Sequence, residues 1–141
     1  AFYINDTRIK NDEGYPWKTY IPTEKLALNV PNLKLDGMWG KEFQKAFQTY
    51  FKIYADGLIS GQIKSVENQF VYAAVWGKGG SYFVKILQQH LGLKNDGYLG
   101  PTTIKALQKF VGAPQTGRVL SKNDPTVLAI QKKLNEGIFT L

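Results

Sequence analysis

Asp96-Gly97-Tyr98-Leu99-Gly100-Pro101-Thr102-Thr103-Ile104-Lys105-Ala106-Leu107-Gln108-Lys109-Phe110 reads as a turn on two glycines that runs straight into a helix. Asp-Gly suits a tight turn, because glycine tolerates positive φ and a short Asp side chain can bond back to nearby amides. Gly100 is followed by Pro101, whose fixed φ suits the first helical position. Thr103, Ala106, Leu107 and Phe110 then fall three or four apart and form one apolar stripe, with Lys105 and Lys109 pointing away. Sixty residues upstream, Asp36-Gly37-Met38-Trp39-Gly40-Lys41-Glu42-Phe43-Gln44-Lys45-Ala46-Phe47-Gln48-Thr49-Tyr50 lies in register with this stretch. Asp, Gly, Gly, Lys, Ala and Gln recur at the same places, and Trp39/Leu99, Phe47/Leu107 and Tyr50/Phe110 exchange one large apolar residue for another. Chance alignment of average sequence gives roughly one such identity, so the chain contains an internal repeat.

The segments around the repeat carry weaker signals. Residues 1–22 hold Phe2, Tyr3, Tyr15, Trp17 and Tyr20 around Asn11-Asp12-Glu13-Gly14 and read as an extended or irregular lead. Leu26 to Leu35 contains Pro31, which weakens it as an opening helix. A helix is expected from Lys41 to about Tyr54, ending at Asp56-Gly57. Gln62 to Val75 is compatible with a helix through Ile63, Val66, Phe70, Val71 and Val75, although Tyr72-Ala73-Ala74 blurs the stripe. Gly77-Lys78-Gly79-Gly80 is the clearest breaker and marks the boundary between copies. Ser81 caps a helix from Tyr82 to Leu91, and Asp124-Pro125 opens a last one that stops at Gly137. In that last helix Val127, Ile130, Gln131 and Leu134 repeat the spacing of Val84, Leu87, Gln88 and Leu91. The expected fold is therefore all-α, with an N-terminal segment (1–22), repeat 1 (23–77) and repeat 2 (78–141), the repeats packed as one body because each alone is too small for a core.

The order Val84-x-x-Leu87-Gln88-x-x-Leu91, then Asp96-Gly97-x-x-Gly100-x-x-Thr103-x-x-Ala106-Leu107-Gln108-x-Phe110, resembles the three-helix peptidoglycan-binding domain found beside the catalytic domains of cell-wall hydrolases. The tandem form, with Asp56-Gly57-Leu58-Ile59-Ser60-Gly61-Gln62 closing the first copy, looks most like the C-terminal wall-targeting region of phage endolysins that attack Gram-positive bacteria. The resemblance spans residues 33–136. It implies two tandem three-helix repeats and a noncatalytic domain that holds an attached hydrolase against peptidoglycan or a wall polymer such as teichoic acid. It also implies an N-terminal catalytic domain in cis, and a site of action at the bacterial wall after release from the host cytoplasm.

Composition narrows the chemistry. There is no Cys and a single His, His90, so neither a thiolate nucleophile nor a Cys/His zinc site has a ligand set. No metal and no cofactor is expected. No window reaches the length of a membrane span, and Ala1 in place of Met reads as the start of a processed or excised piece. The net charge of +7 favours anionic partners, but the basic residues are scattered apart from Lys132-Lys133, so neither nucleic acid nor a membrane is the expected partner.

A wall-glycan hydrolase needs two placed acids. Asp36, Asp56 and Asp96 are explained by turns and Asp124 by capping, while Glu24, Glu42, Glu67 and Glu136 lie in polar surroundings. An intact small muramidase, and a basic phage structural or nucleic-acid-binding module, are the alternatives to a binding domain. For binding, the residues singled out are Asp96, Gly97, Tyr98, Thr103 and Gln108 in the second copy, Asp36, Gly37, Trp39 and Gln48 in the first, and Trp76 near the seam. Aromatics can lie on sugar C–H faces, but Trp39 and Tyr98 also suit core plugs. The recurring glutamines, Gln48, Gln88, Gln108 and Gln131, suit either a groove lining or a lock on loop backbone. The groove is expected between each Asp-Gly-x-x-Gly loop and the start of the following helix.

Overall fold

The computed structural model describes residues 30–141. The chain divides into two units, Ala1–Val30 and Pro31–Leu141, and the elements described belong to the second. Residues 1–22, expected to form an irregular lead, lie outside the described residues, as do Glu24 and the start of the Leu26 to Leu35 segment.

Among the described residues six elements occur in order: α1 (Lys41–Tyr50), β1 (Ile59–Gln62), β2 (Ala74–Trp76), α2 (Tyr82–His90), α3 (Pro101–Val111) and α4 (Pro125–Glu136). The expectation of an all-α chain of two three-helix repeats does not hold. β1 and β2 form a two-stranded parallel sheet, pairing Ile59 with Ala74 and Gln62 with Trp76. Among the described residues, the first repeat as bounded at 23–77 contains one helix and the second contains three.

The helix entertained for Gln62 to Val75 fails for a local reason. Asn68 accepts from the Ser65 N–H at 2.8 Å and donates to the Ile63 carbonyl at 3.0 Å, while the Asn68 N–H donates to Ser65 Oγ at 3.2 Å. These side-chain bonds take the backbone groups a helix would need. The β-branched residues on either side then favour extended chain.

α2, α3 and α4 obey their end signals, whereas α1 stops at Tyr50, short of the expected Tyr54, because the chain turns into the left-handed region at Lys52, φ 60°. Asp124 accepts from the Thr126 and Val127 N–H groups at 2.8 and 3.1 Å, with Pro125 at the first helical position. Ser81 accepts from the Val84 N–H at 3.3 Å. Gly40 and Gly100 occupy the N-cap positions of α1 and α3 in extended conformation, φ −100° and −104°. The apolar faces meet in one core. Trp39, Phe43, Phe47, Phe83 and Phe139 are buried in it, and Phe47 lies edge-on to Phe83 and Phe139 at 5.0 and 5.8 Å between ring centroids.

The sequence repeat is also a repeat of burial. Each buried residue between 36 and 60 has a buried counterpart sixty positions on, among them Trp39/Leu99, Phe43/Thr103, Phe47/Leu107 and Ile59/Val119. The repeating unit is a helix and the turn it grips, and it occurs four times among the described residues.

Candidate functional site

Each of the four described helices carries one buried glutamine whose carboxamide closes a turn. From α2, Gln88 Oε1 accepts from the Gly97 N–H at 3.0 Å, and its Nε2 donates to Asp96 Oδ1, the Tyr98 carbonyl and Thr103 Oγ1 at 2.9, 3.1 and 3.0 Å. From α1, Gln48 accepts from the Gly57 N–H at 2.8 Å and donates to Asp56 Oδ1 and the Leu58 carbonyl. From α3, Gln108 accepts from the Gly117 N–H at 2.8 Å and donates to Thr116 Oγ1 and the Arg118 carbonyl. Within each turn the Asp oxygen, or the Thr116 hydroxyl, also accepts from the N–H two residues on. A buried carboxamide is satisfied only with its donor and acceptor ends both engaged, and the turn's N–H and C=O present that pair.

The fourth grip closes the chain on itself. Gln131 of α4 accepts from the Gly37 N–H and donates to Asp36 Oδ1, both at 3.0 Å, across more than ninety residues. The Asp124 N–H donates to the Gly37 carbonyl at 3.1 Å, as the Ser81 N–H does to the Gly97 carbonyl at 2.9 Å. Even the residue before each N-cap agrees, with Asn123 and Gly80 both at positive φ. So α4, turn 36–37 and α1 form the same arrangement as α2, turn 96–97 and α3. The helix that should open the first copy comes from the C-terminal end.

These grips set the local charge. The Tyr98 N–H, then Gln88, outweigh partial burial and, with Lys94, hold the Asp96 carboxyl below its ordinary value. For Asp36, burial acts upward most strongly, but Gln131, the Met38 N–H, its own N–H and Lys34 together hold it below the usual value. A carboxyl so held stays ionised at neutral pH and is a poor general acid.

The residues singled out from sequence therefore fall into distinct places. Asp96, Gly97, Tyr98 and Thr103 gather around Gln88, and Asp36 and Gly37 around Gln131. Thr103, Gln48 and Gln108 are buried with their polar atoms bonded internally, and Trp39 is fully buried with its indole N–H on Gln44 Oε1 at 2.9 Å. Tyr98 is half-buried, its hydroxyl accepting from the Gly79 N–H at 3.2 Å. Trp76 stands apart from the turns, part-exposed on β2, with Lys64 Nζ 5.6 Å from its ring centroid.

Two grooves flank the turns. One, of about 450 Å³, runs between the Asp36–Gly40 loop and the start of α1, lined by Lys34, Asp36, Met38, Lys41, Glu42 and Gln131 among others. The second, of about 400 Å³, lies between the 56–60 turn and the start of α2, where Lys52, Tyr54, Asp56, Leu58, Ser60 and Tyr82 meet. Lys52, Tyr54 and Tyr82 were not singled out from sequence. In the sixty-residue register Lys52 already stands opposite Gly112 and Tyr54 opposite Pro114, but nothing in the sequence places them beside Tyr82. Among the described residues no cluster of His, Cys, Asp and Glu could hold a metal ion, and no helix is long and apolar enough to cross a membrane.

The chain matches no protein-family model, no curated protein and no solved structure.

Proposed function

We propose that this chain is a noncatalytic module that binds a polymer of the bacterial cell wall and tethers an attached hydrolase to it. The observation that carries the reading is the fourfold repetition of one rigid corner. Each corner is locked from behind by a buried glutamine, and presents an exposed or half-exposed residue at the same place: Met38, Leu58, Tyr98 and Arg118. Locking costs no entropy at binding, and a protein that offers one corner repeatedly suits a ligand that repeats as well. The turn acids and Asp124 support the noncatalytic part of the reading, because each has an oxygen held by backbone N–H groups.

The test is retention of the fluorescently labelled chain on purified sacculi, before and after acid extraction of wall-linked anionic polymers. Binding that survives extraction is expected and assigns the ligand to peptidoglycan. Binding lost on extraction moves the ligand to the anionic polymer. A chain that stays in the supernatant in both cases ends the wall-binding reading.

A further inference from the structure

The four helix-turn units provide an internal control for what the scaffold requires. Four residues after the clamping glutamine, the second and third units have Gly92 and Gly112, with φ of 72° and 78°. The first unit has Lys52 there, at φ 60°. A side chain in the left-handed region is strained, and strain retained against an available glycine points to use of the side chain. Two residues further on, the same units have Lys94 and Pro114, whereas the first has Tyr54. At the first helical position α1, α3 and α4 carry Lys41, Pro101 and Pro125, whereas α2 carries Tyr82. The fold is thus built elsewhere without these three side chains.

All three departures converge on the second groove. Tyr54 is 85% and Tyr82 66% exposed, and among the described residues neither ring pairs with another aromatic and neither hydroxyl has a partner. Two tyrosines that the core does not use therefore border one cavity whose volume lies in the range of small-ligand sites. Between them, the floor is polar. Asp56 Oδ1 is taken by Gln48 and the Leu58 N–H, leaving its other oxygen as an acceptor, and Ser60 and Lys52 supply a hydroxyl and an ammonium.

We infer that this groove is a saccharide-binding subsite, with Tyr54 and Tyr82 as the platforms and Lys52, Asp56 and Ser60 as the polar contacts. A pyranose ring has flat C–H faces and a hydroxylated edge, and an aromatic face beside paired donors and acceptors matches both. Lys52 and Asp56 nearly cancel in charge, so the groove selects a neutral glycan over an anionic polymer. This inference rests on the wall-binding reading for its choice of ligand, and refines it to the glycan strand.

Binding of chitotetraose to the full chain is measured by calorimetry, alongside sacculus retention, for the wild type and for Tyr54→Ala, Tyr82→Ala, Lys52→Gly and the control Tyr72→Ala. Thermal unfolding of each variant verifies that it is folded. Tyr54→Ala and Tyr82→Ala should each weaken chitotetraose binding at least tenfold, while Tyr72→Ala leaves it unchanged. Lys52→Gly should raise the melting temperature by relieving the backbone and weaken binding, which separates a ligand contact from a structural role. Affinity insensitive to raising salt from low to 0.5 M is expected of a neutral ligand. If the wild type is retained on sacculi but the tyrosine variants bind both ligands like the wild type, the groove assignment is overturned and the wall reading stands. If chitotetraose binds through the tyrosines but the chain is not retained on sacculi, the groove stands and the wall reading falls. Absence of both kinds of binding overturns both.

Discussion

The two halves of this fold use one set of contacts and differ in how the chain delivers them. In the half made of α2, turn 96–97 and α3, the clamping helix runs directly into its turn, so Asp96 follows Gln88 by only eight positions of continuous chain. In the half made of α4, turn 36–37 and α1, the clamping helix arrives from the far end of the chain. Where the first half has continuous backbone, the second has a side-chain bridge: Asn135 Oδ1 accepts from the Leu33 N–H at 2.7 Å and Asn135 Nδ2 donates to the Leu33 carbonyl at 2.9 Å. The same packing is thus held once by chain connectivity and once by hydrogen bonds that must offset the entropy of closing a long loop.

That difference makes the split half the more fragile, and the glycines give the largest test. A Cβ on Gly37 would sit 2.4 Å from the Asp124 nitrogen and 2.6 Å from the Asn123 Cα, both backbone atoms, at φ +65°. A Cβ on Gly97 would meet the Ser81 nitrogen at 3.1 Å, at φ +82°. Gly37→Ala is expected to cost about 3 kcal/mol or more and Gly97→Ala about 1–2 kcal/mol, read from urea unfolding midpoints. Gly40 and Gly100 have open space at the Cβ position and extended φ, so Gly40→Ala and Gly100→Ala should stay within about 1 kcal/mol. Equal costs at Gly37 and Gly40 would mean that α4 does not close on the first turn.

Asn135 provides the next test, because its counterpart in the contiguous half, the residue four places past the clamping glutamine, is a glycine with no bridging to do. Asn135→Ala removes two part-buried hydrogen bonds and should cost about 1–3 kcal/mol. It should also raise the hydrogen-exchange rate of the Leu33 amide while leaving the Leu93 amide, bonded to the Gln88 carbonyl at 2.9 Å, unchanged. Asn135→Asp keeps the acceptor for Leu33 N–H and should fall between.

Much of this was legible in the residues, and the part that was not has a common cause. The Asp-Gly turns, the helices after Gly40 and Gly100, and the caps at Ser81 and Asp124 arise from interactions within a few positions. The match of Val127, Ile130, Gln131 and Leu134 to Val84, Leu87, Gln88 and Leu91 was visible too. Its meaning, that α4 replaces the opening helix of the first copy, was not, because sequence order hides a contact between residues 36 and 131. Reading Gln62 to Val75 as helical failed where Asn68 captured its neighbours' backbone. Trp39 as a candidate platform turned on a one-sided fact: a buried indole needs an acceptor, and Gln44, standing where the second copy has Ile104, supplies it at the expense of an unpartnered Nε2. Tyr54 already departs from Pro114 in the sixty-residue register, but its relation to Tyr82 appears only where the 56–60 turn meets the start of α2.

The smallest expected effect compares the two turn acids. Both Asp36 and Asp96 have folded values below the ordinary carboxyl value of 3.8. The stability each contributes is therefore fully present above that value and is lost as pH falls through the lowered folded value. Asp96 is exposed and Asp36 only partly buried, so screening keeps each contribution to about 1 kcal/mol or less. Asp36→Asn and Asp96→Asn retain an oxygen for the N–H groups but abolish the titration, so each should be slightly less stable than the wild type at pH 7 and should lose less stability between pH 5 and pH 2. The halves should still differ in what that loss does. Protonating Asp96 weakens a turn that the chain holds in place anyway, whereas protonating Asp36 weakens one of the few bonds joining the first turn to α4. Acid should accordingly loosen the contact around Trp39 before that around Leu99, seen as a red shift of indole emission preceding global unfolding in the wild type. In Asp36→Asn the shift and the unfolding should coincide.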